Sequence, residues 1–170
     1  MLDLSVSKLL NEQINKEFFS SYFYLDMANY YNEKGLAGFS NWFHVQAKEE
    51  LDHAMLMLQY LQNNGDKITL EAIAKPDKIY SDFKQPFHET LLHERYVTGL
   101  IHTIYDAAYS IKDFRTMQFL DWFVKEQGEE EKAAEDNVKK FELFGSDPKG
   151  LYMLDAELAT RVYTPPTLIL

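Results

Sequence analysis

Residues 47–54 read AKEELDHA, and residues 124–131, a fixed 77 positions further on, read VKEQGEEE. In the first stretch Glu49, Glu50 and His53 are ligand-type side chains, and the offset carries them to Glu126, Gln127 and Glu130 (126 − 49 = 127 − 50 = 130 − 53 = 77). A lone glutamate precedes each stretch by the same interval, Glu17 before Glu50 and Glu94 before Gln127 (50 − 17 = 127 − 94 = 33). Residues three apart share one face of a helix. Carboxylates and an imidazole on facing helices are what a bound pair of iron-like cations needs.

The spacing of breaks around these stretches predicts four long helices, over 5–34, 37–64, 84–112 and 114–144, and a short fifth over 148–161. Gly35 and Gly38 bracket the first break, and Asn64-Gly65 has the character of a helix C-cap. Asp113 is positioned to cap the fourth helix, and Asp147-Pro148 has the N-cap/N1 arrangement. Apolar residues follow steps of three and four rather than alternation, so strands are a poor alternative. Short turns join the first pair and the second pair into antiparallel hairpins. The connection from about 66 to 84 is long enough to run the length of a bundle, giving one long crossover.

The inward seam of each helix carries a polar group near its middle. The first runs Leu10, Ile14, Glu17, Ser21, Tyr24, Ala28, Tyr31, and the second Phe43, Gln46, Glu50, His53, Met57, Tyr60. The third runs Phe87, Thr90, Glu94, Val97, Ile101, Ile104, Ala108, Ile111, and the fourth Leu120, Phe123, Gln127, Glu130, Ala134, Asn137, Phe141. A bare buried carboxylate costs several kcal/mol or neutralises. Several carboxylates in one core repel, and a pair of cations resolves that conflict. Glu49, Glu126 and Glu129 lie one residue off the seams, as rim carboxylates of the same site or as surface groups; the recurrence of Glu49 as Glu126 tilts them towards the site. Glu131 reads as solvated. His44, His88, His93 and His102 are off the seams and read as surface groups or neighbours of the site. Gly128 costs about 1 kcal/mol against alanine in mid-helix, for which close packing near the centre is the expected reason.

At 170 residues with 46% hydrophobic residues, the chain suits one domain with a full core. It has no cysteine, which excludes disulfides, thiolate zinc sites and iron–sulfur clusters. A net charge of −10 argues against nucleic acid as the main partner and favours cations. Neither a basic-then-apolar leader nor an apolar run of about 18 residues is present, so a cytoplasmic protein without a membrane partner is expected.

With LNEQINKE at 10–17, AKEELDHA at 47–54, the His93-Glu94 pair, LDWFVKEQGEEEK at 120–132 and GLYMLDAEL at 150–158, the chain resembles the bacterial non-haem ferritins over essentially its whole length. That resemblance implies an all-α, ferritin-like four-helix bundle with a fifth C-terminal helix, assembled as a 24-subunit shell. It implies oxidation of Fe(II) by O₂ or H₂O₂ at an intrasubunit di-iron centre and storage of a ferric mineral. On the same ground Glu17, Glu50 and His53 match the first iron position. Glu50 is expected to bridge to a second, completed by Glu94 and Gln127 with Glu130 close by. Glu49, Glu126, Glu129 and Glu130 match the third iron position of that family. Tyr24 matches the tyrosine beside the centre, with Trp122 its aromatic neighbour.

Departures from related families narrow the expectation. The haem-containing relatives are similar in fold but carry Glu-x-x-His in both halves and a methionine after the second-helix glutamate. Here Leu51 stands there and the second half reads Gln127-Gly128-Glu129-Glu130, so no haem is expected. Rubrerythrins need four cysteines, and light-chain subunits lack the ligands this chain retains. A storage or peroxide-detoxifying subunit with little O₂-dependent oxidation is the alternative. Met117 and Leu120 replace the acidic pore residues of the animal proteins, and the apolar tail from Tyr163 to Leu170 is expected at a shell axis or a cargo site.

Overall fold

The computed structural model describes residues 2–170. Among them are five helices and no strand: α1 (Leu4–Glu33), α2 (Ala37–Asn63), α3 (Gln85–Ser110), α4 (Phe114–Phe144) and α5 (Pro148–Leu158). α1 packs on α2, α3 on α4 and α1 on α3, while α5 rests on α2 and α4.

Local chemistry sets the ends. Asp3 caps α1 through Ser5 N–H (2.9 Å), Asp113 caps α4 through Thr116 N–H (3.1 Å), and Asp147 caps α5 through Lys149 and Gly150 N–H (both 3.0 Å). Gly35 (φ 77°) and Gly65 (φ 70°) take the left-handed conformation that ends α1 and α2. Lys112 (φ 58°) does the same between α3 and α4, where a side chain makes the turn costlier by about 1–2 kcal/mol.

The crossover is pinned along α1. Asn11 accepts from Thr69 N–H (2.8 Å) and donates to Lys67 O (3.1 Å); further along, Tyr31 donates to Phe83 O (2.5 Å). Asn11 and Tyr31 are roughly 30 Å apart on a helix rising 1.5 Å per residue. The connection therefore traverses the bundle, and α3 starts at the end where α2 started. α2 and α3 run parallel, as a single long crossover requires.

The core falls into two clusters. Leu10, Ile14, Met57, Ile101, Ile104 and Phe123 belong to one; Tyr31, Phe39, Phe43, Phe87 and Phe141 belong to the other, which is mainly aromatic. The polar middles of the four seams separate them. Two boundaries differ from the sequence expectation by more than one residue. α5 ends at Leu158 rather than near 161, and α3 ends at Ser110, leaving Ile111 in the cap and 45% exposed instead of on the inward seam.

Candidate metal centre

Between the two clusters, α1 contributes Glu17 and Tyr24, α2 contributes Glu50 and His53, α3 contributes Glu94, and α4 contributes Gln127 and Glu130. Six of these side chains are at most 2% exposed, and Glu130 is 9% exposed. Ligand atoms of Glu17, Glu50 and His53 lie within 4.8 Å of one another, and so do those of Glu50, Glu94 and Glu130. Glu50 belongs to both groups. A third group, His53, Glu126 and Glu130, opens towards the surface.

Amides and a phenol hold the carboxylates. Gln13 Nε2 donates to Glu17 Oε1 (2.8 Å), and Gln46 Nε2 donates to Oε1 of both Glu50 and Glu130 (3.1 Å each). Tyr24 Oη donates to Glu94 Oε1, and Gln127 Nε2 reaches Glu94 Oε2 (3.3 Å) and Thr98 Oγ1 (3.4 Å). His53 Nδ1 lies 3.5 Å from Glu50 Oε2, with the edges of Trp122 and Phe123 against its ring. Oε2 of Glu17 and Oε2 of Glu130 are buried with no hydrogen-bond partner. Leaving buried acceptors unpaired is costly, and a cation would satisfy both atoms. An oxygen-rich set with one imidazole fits Fe(II) and, better still, Fe(III).

The proton balance reflects the crowding of acids. Burial, reinforced by the charge of Glu94, pushes Glu50 up to about 8. Burial also raises Glu17, and it holds Glu130 well above the carboxylate range, with the charges of Glu50 and Glu94 adding to it. For His53 burial acts downward, but the Glu50 hydrogen bond and the charges of Glu50, Glu17 and Glu126 outweigh it, pushing the imidazole up to about 9. Burial raises Tyr24 strongly, keeping its phenol protonated beside Glu94. Glu50, Glu130 and His53 are thereby all biased towards their protonated forms.

The rim carboxylates are less gathered. Glu49 is bound by Arg161 (2.5 Å) rather than turned to Glu126 and Glu130, and Glu129 pairs with Lys125 (3.3 Å) at the surface. A cavity of about 280 Å³ lies outside His53, walled by Glu49, Asp52, Glu126, Glu129 and Trp122 and by tail residues Thr164 to Thr167. The tail folds back on its own bundle. Tyr163 Oη donates to Asp52 Oδ2 (2.6 Å), and Trp122 Nε1 donates to Thr167 Oγ1 (3.2 Å).

Gln46 lies on the expected inward seam, but neither it nor Gln13 was expected to hold the ligands. Gln13 and Gln46 stand four residues before Glu17 and Glu50, a Gln-x-x-x-Glu signal on two helices that spacing rules could have flagged. Arg161 and Thr98 carried no such signal. His93 takes the second of its two expected places, as a neighbour of the site: it is hydrogen-bonded to Ser20 Oγ (2.7 Å), its ring packs near Phe23 and edge-on to Tyr24, and burial pulls its pKa down to about 4. Close packing within the chain does not explain Gly128, because a Cβ there meets nothing within 4 Å.

Residues 7–144 match the ferritin-like domain family. The chain is 36% identical over 155 residues to the bacterial non-heme ferritin of Campylobacter jejuni, covering 91% of this chain and 93% of that protein. It is 35% identical over 158 residues to a probable bacterial non-heme ferritin-like protein of Haemophilus influenzae, covering 93% and 96%. Among solved structures, the open-pore ferritin of the archaeon Archaeoglobus fulgidus superposes with a TM-score of 0.93 at 41% identity, over 95% of this chain and 99% of that one. A humanized archaeal ferritin superposes with a TM-score of 0.95 at 44% identity, over 97% and 100%. The four-helix architecture, the buried carboxylate–imidazole centre and these matches lead to one conclusion: the chain belongs to the ferritin family.

Proposed function

We propose that this chain oxidises Fe(II) at the buried centre and stores the product as a ferric oxyhydroxide mineral inside a homo-oligomeric shell, most economically the 24-subunit shell its resemblance implies. One observation carries the reading: Glu50 is shared between the group with Glu17 and His53 and the group with Glu94 and Glu130. A shared carboxylate suits two cations held at bridging distance. Two ferrous ions so placed deliver two electrons together, to O₂ or to H₂O₂, and each becomes Fe(III). The carboxylates then bind the product more strongly than the substrate.

The two positions are unequal. Glu17, Glu50 and His53 form a firm position, whereas the second offers Glu94 and the neutral amide of Gln127, with Glu130 alongside. Iron is therefore a substrate that passes through the centre rather than a resident cofactor, and no haem takes part. Glu126 and Glu130, with Glu49 and Glu129 at the rim, make a third position on the way out. Tyr24, bound to Glu94, is the candidate electron donor beside the centre. Exposed Leu92, Tyr109, Phe114, Tyr152 and Met153 on a single copy support burial against further copies. No described helix is long and apolar enough to cross a membrane, and a cytoplasmic location fits the proposal.

Stopped-flow oxidation of Fe(II) by O₂ and by H₂O₂, comparing wild type with Glu17→Ala, tests the reading. The variant should assemble but lose the fast phase with at least one oxidant. Equal rates with both would overturn the enzymatic role.

A further inference from the structure

Arg161 lies past the end of α5, in a segment with no regular structure, yet its guanidinium is buried against α2. It sits over the Trp42 ring at 4.4 Å from the centroid, and its side chain is only 25% exposed. Nη1 donates to Trp42 O (3.2 Å), while Nη2 donates to Gln46 Oε1 (2.9 Å) and to Glu49 Oε2 (2.5 Å). The contact to Gln46 has a consequence for the centre. A guanidinium has only donors, and a glutamine amide has one acceptor end and one donor end. Arg161 therefore fixes which way the amide faces: Oε1 outward to the arginine, Nε2 inward to Glu50 and Glu130.

With the opposite orientation, Nε2 would face the guanidinium, donor against donor, and Arg161 would lose its acceptor on Gln46. Gln46 is 3% exposed and has no water-facing alternative. Its Nε2 is the shared donor of Glu50, the bridging ligand, and Glu130, which both belong to the second group. Nothing else in the network spans those two carboxylates.

We propose that Arg161 is a positioning residue of the metal centre, acting through Gln46 to hold Glu50 and Glu130 in the geometry that receives cations. This rests on the metal-binding reading above. It links Arg161, just past the fifth helix, to the chemistry in the bundle, so the end of α5 becomes part of the site's support and not only a packing element.

Partners that orient ligands typically change metal affinity by about 10–100-fold when removed. The test is Co(II) titration, followed by visible absorption, of assembled wild type, Arg161→Gln, Gln46→Leu and the double variant. Each single change should weaken Co(II) binding about tenfold, and the double variant should lose little more, because both act along one path. Arg161→Lys, which keeps charge but not the fork, should weaken binding in the same direction by less. Unchanged affinity in Arg161→Gln, or losses that simply multiply in the double variant, would overturn the proposal.

A crystal structure of cation-free Arg161→Gln separates this inference from the function it rests on. The Gln46 amide should leave Glu50 and Glu130; an amide that keeps both contacts overturns the positioning role whatever the metal data show. Wild type that binds no Co(II), indistinguishable from Glu17→Ala, would instead remove the metal-centre reading, and the crystal structure would still decide what Arg161 does to Gln46.

Discussion

Asp155 on α5 caps α2 across 117 residues of chain: its Oδ1 accepts from Gly38 N–H at 2.8 Å and from Phe39 N–H at 3.0 Å. Leu36, the residue at the local cap position, makes no side-chain hydrogen bond. The two helices meet so closely that a Cβ on residue 38 would lie 1.7 Å from the Asp155 carbonyl oxygen. Backbone atoms on both sides leave nothing to yield except the helices themselves. Gly38→Ala should therefore push α5 off α2, while Asp155→Ala should cost about 1 kcal/mol through the lost cap. Hydrogen–deuterium exchange over residues 148–158 should rise in both variants, more in Gly38→Ala, with α1 and α3 unaffected. Unaltered exchange in Gly38→Ala would show that the close approach is not maintained.

Tyr24 supplies Glu94 with a hydroxyl donor inside the core. A phenylalanine there keeps the ring and removes the donor, leaving a buried carboxylate oxygen short of a partner at a cost of about 1–3 kcal/mol. Glu94 belongs to the group with Glu50 and Glu130, not to the group with Glu17 and His53. Calorimetric titration with Zn(II) should thus show the weaker of two binding events falling about tenfold in Tyr24→Phe, with the tighter one nearly unchanged. Equal losses at both events would contradict the assignment of Tyr24 to the second position.

The sequence carried those features that repeat with a helical period. Every seam residue named from its three-and-four spacing is buried except Ile111, which the C-cap of α3 turns outward. That success has a simple cause: a residue one turn away from a core residue on a straight helix is also in the core. Contacts made by Asp155 and Arg161 were invisible for the opposite reason. They join positions 112 to 119 residues apart, and the local pattern at either end says nothing of the other. His93 shows an intermediate case. It stands one position before Glu94, off the seam, and only the packing of α1 against α3 turns it towards Ser20 and Phe23.

Protons and cations should compete for the centre. Glu50 is raised from 4.5 to about 8 and His53 from 6.5 to about 9 in the cation-free fold. Between pH 4.5 and about 8 the folded chain holds a proton on Glu50 that the unfolded chain has released, so stability falls as pH rises. His53 acts in the same direction: its contribution is fully present below pH 6.5 and is lost as pH rises through about 9. The melting temperature of cation-free protein should decline from pH 5 to pH 9, with a smaller decline in Glu50→Gln. Added Zn(II) should reverse the trend, because binding needs the deprotonated ligands, and the gain in melting temperature should grow with pH. A pH-independent gain would refute the competition.

Residues 164–167 form one wall of the acidic cavity outside His53, and the Thr167 hydroxyl accepts the indole hydrogen bond of Trp122. Removing residues 162–170 keeps Arg161 and deletes that wall together with the Tyr163–Asp52 hydrogen bond. Trp122 would then face solvent beside Glu126 and His53, whereas Trp42 stays 6% exposed between α2 and Arg161. Tryptophan emission of the truncated protein should shift to the red and become more sensitive to acrylamide, and Trp122→Phe in the same background should abolish both changes. Binding of Co(II) to the buried groups should persist, since none of their ligands touches the deleted segment, but its rate of arrival should increase as the cavity opens. If arrival is no faster although Trp122 has become accessible, cations reach the centre by a path that does not pass beneath the tail.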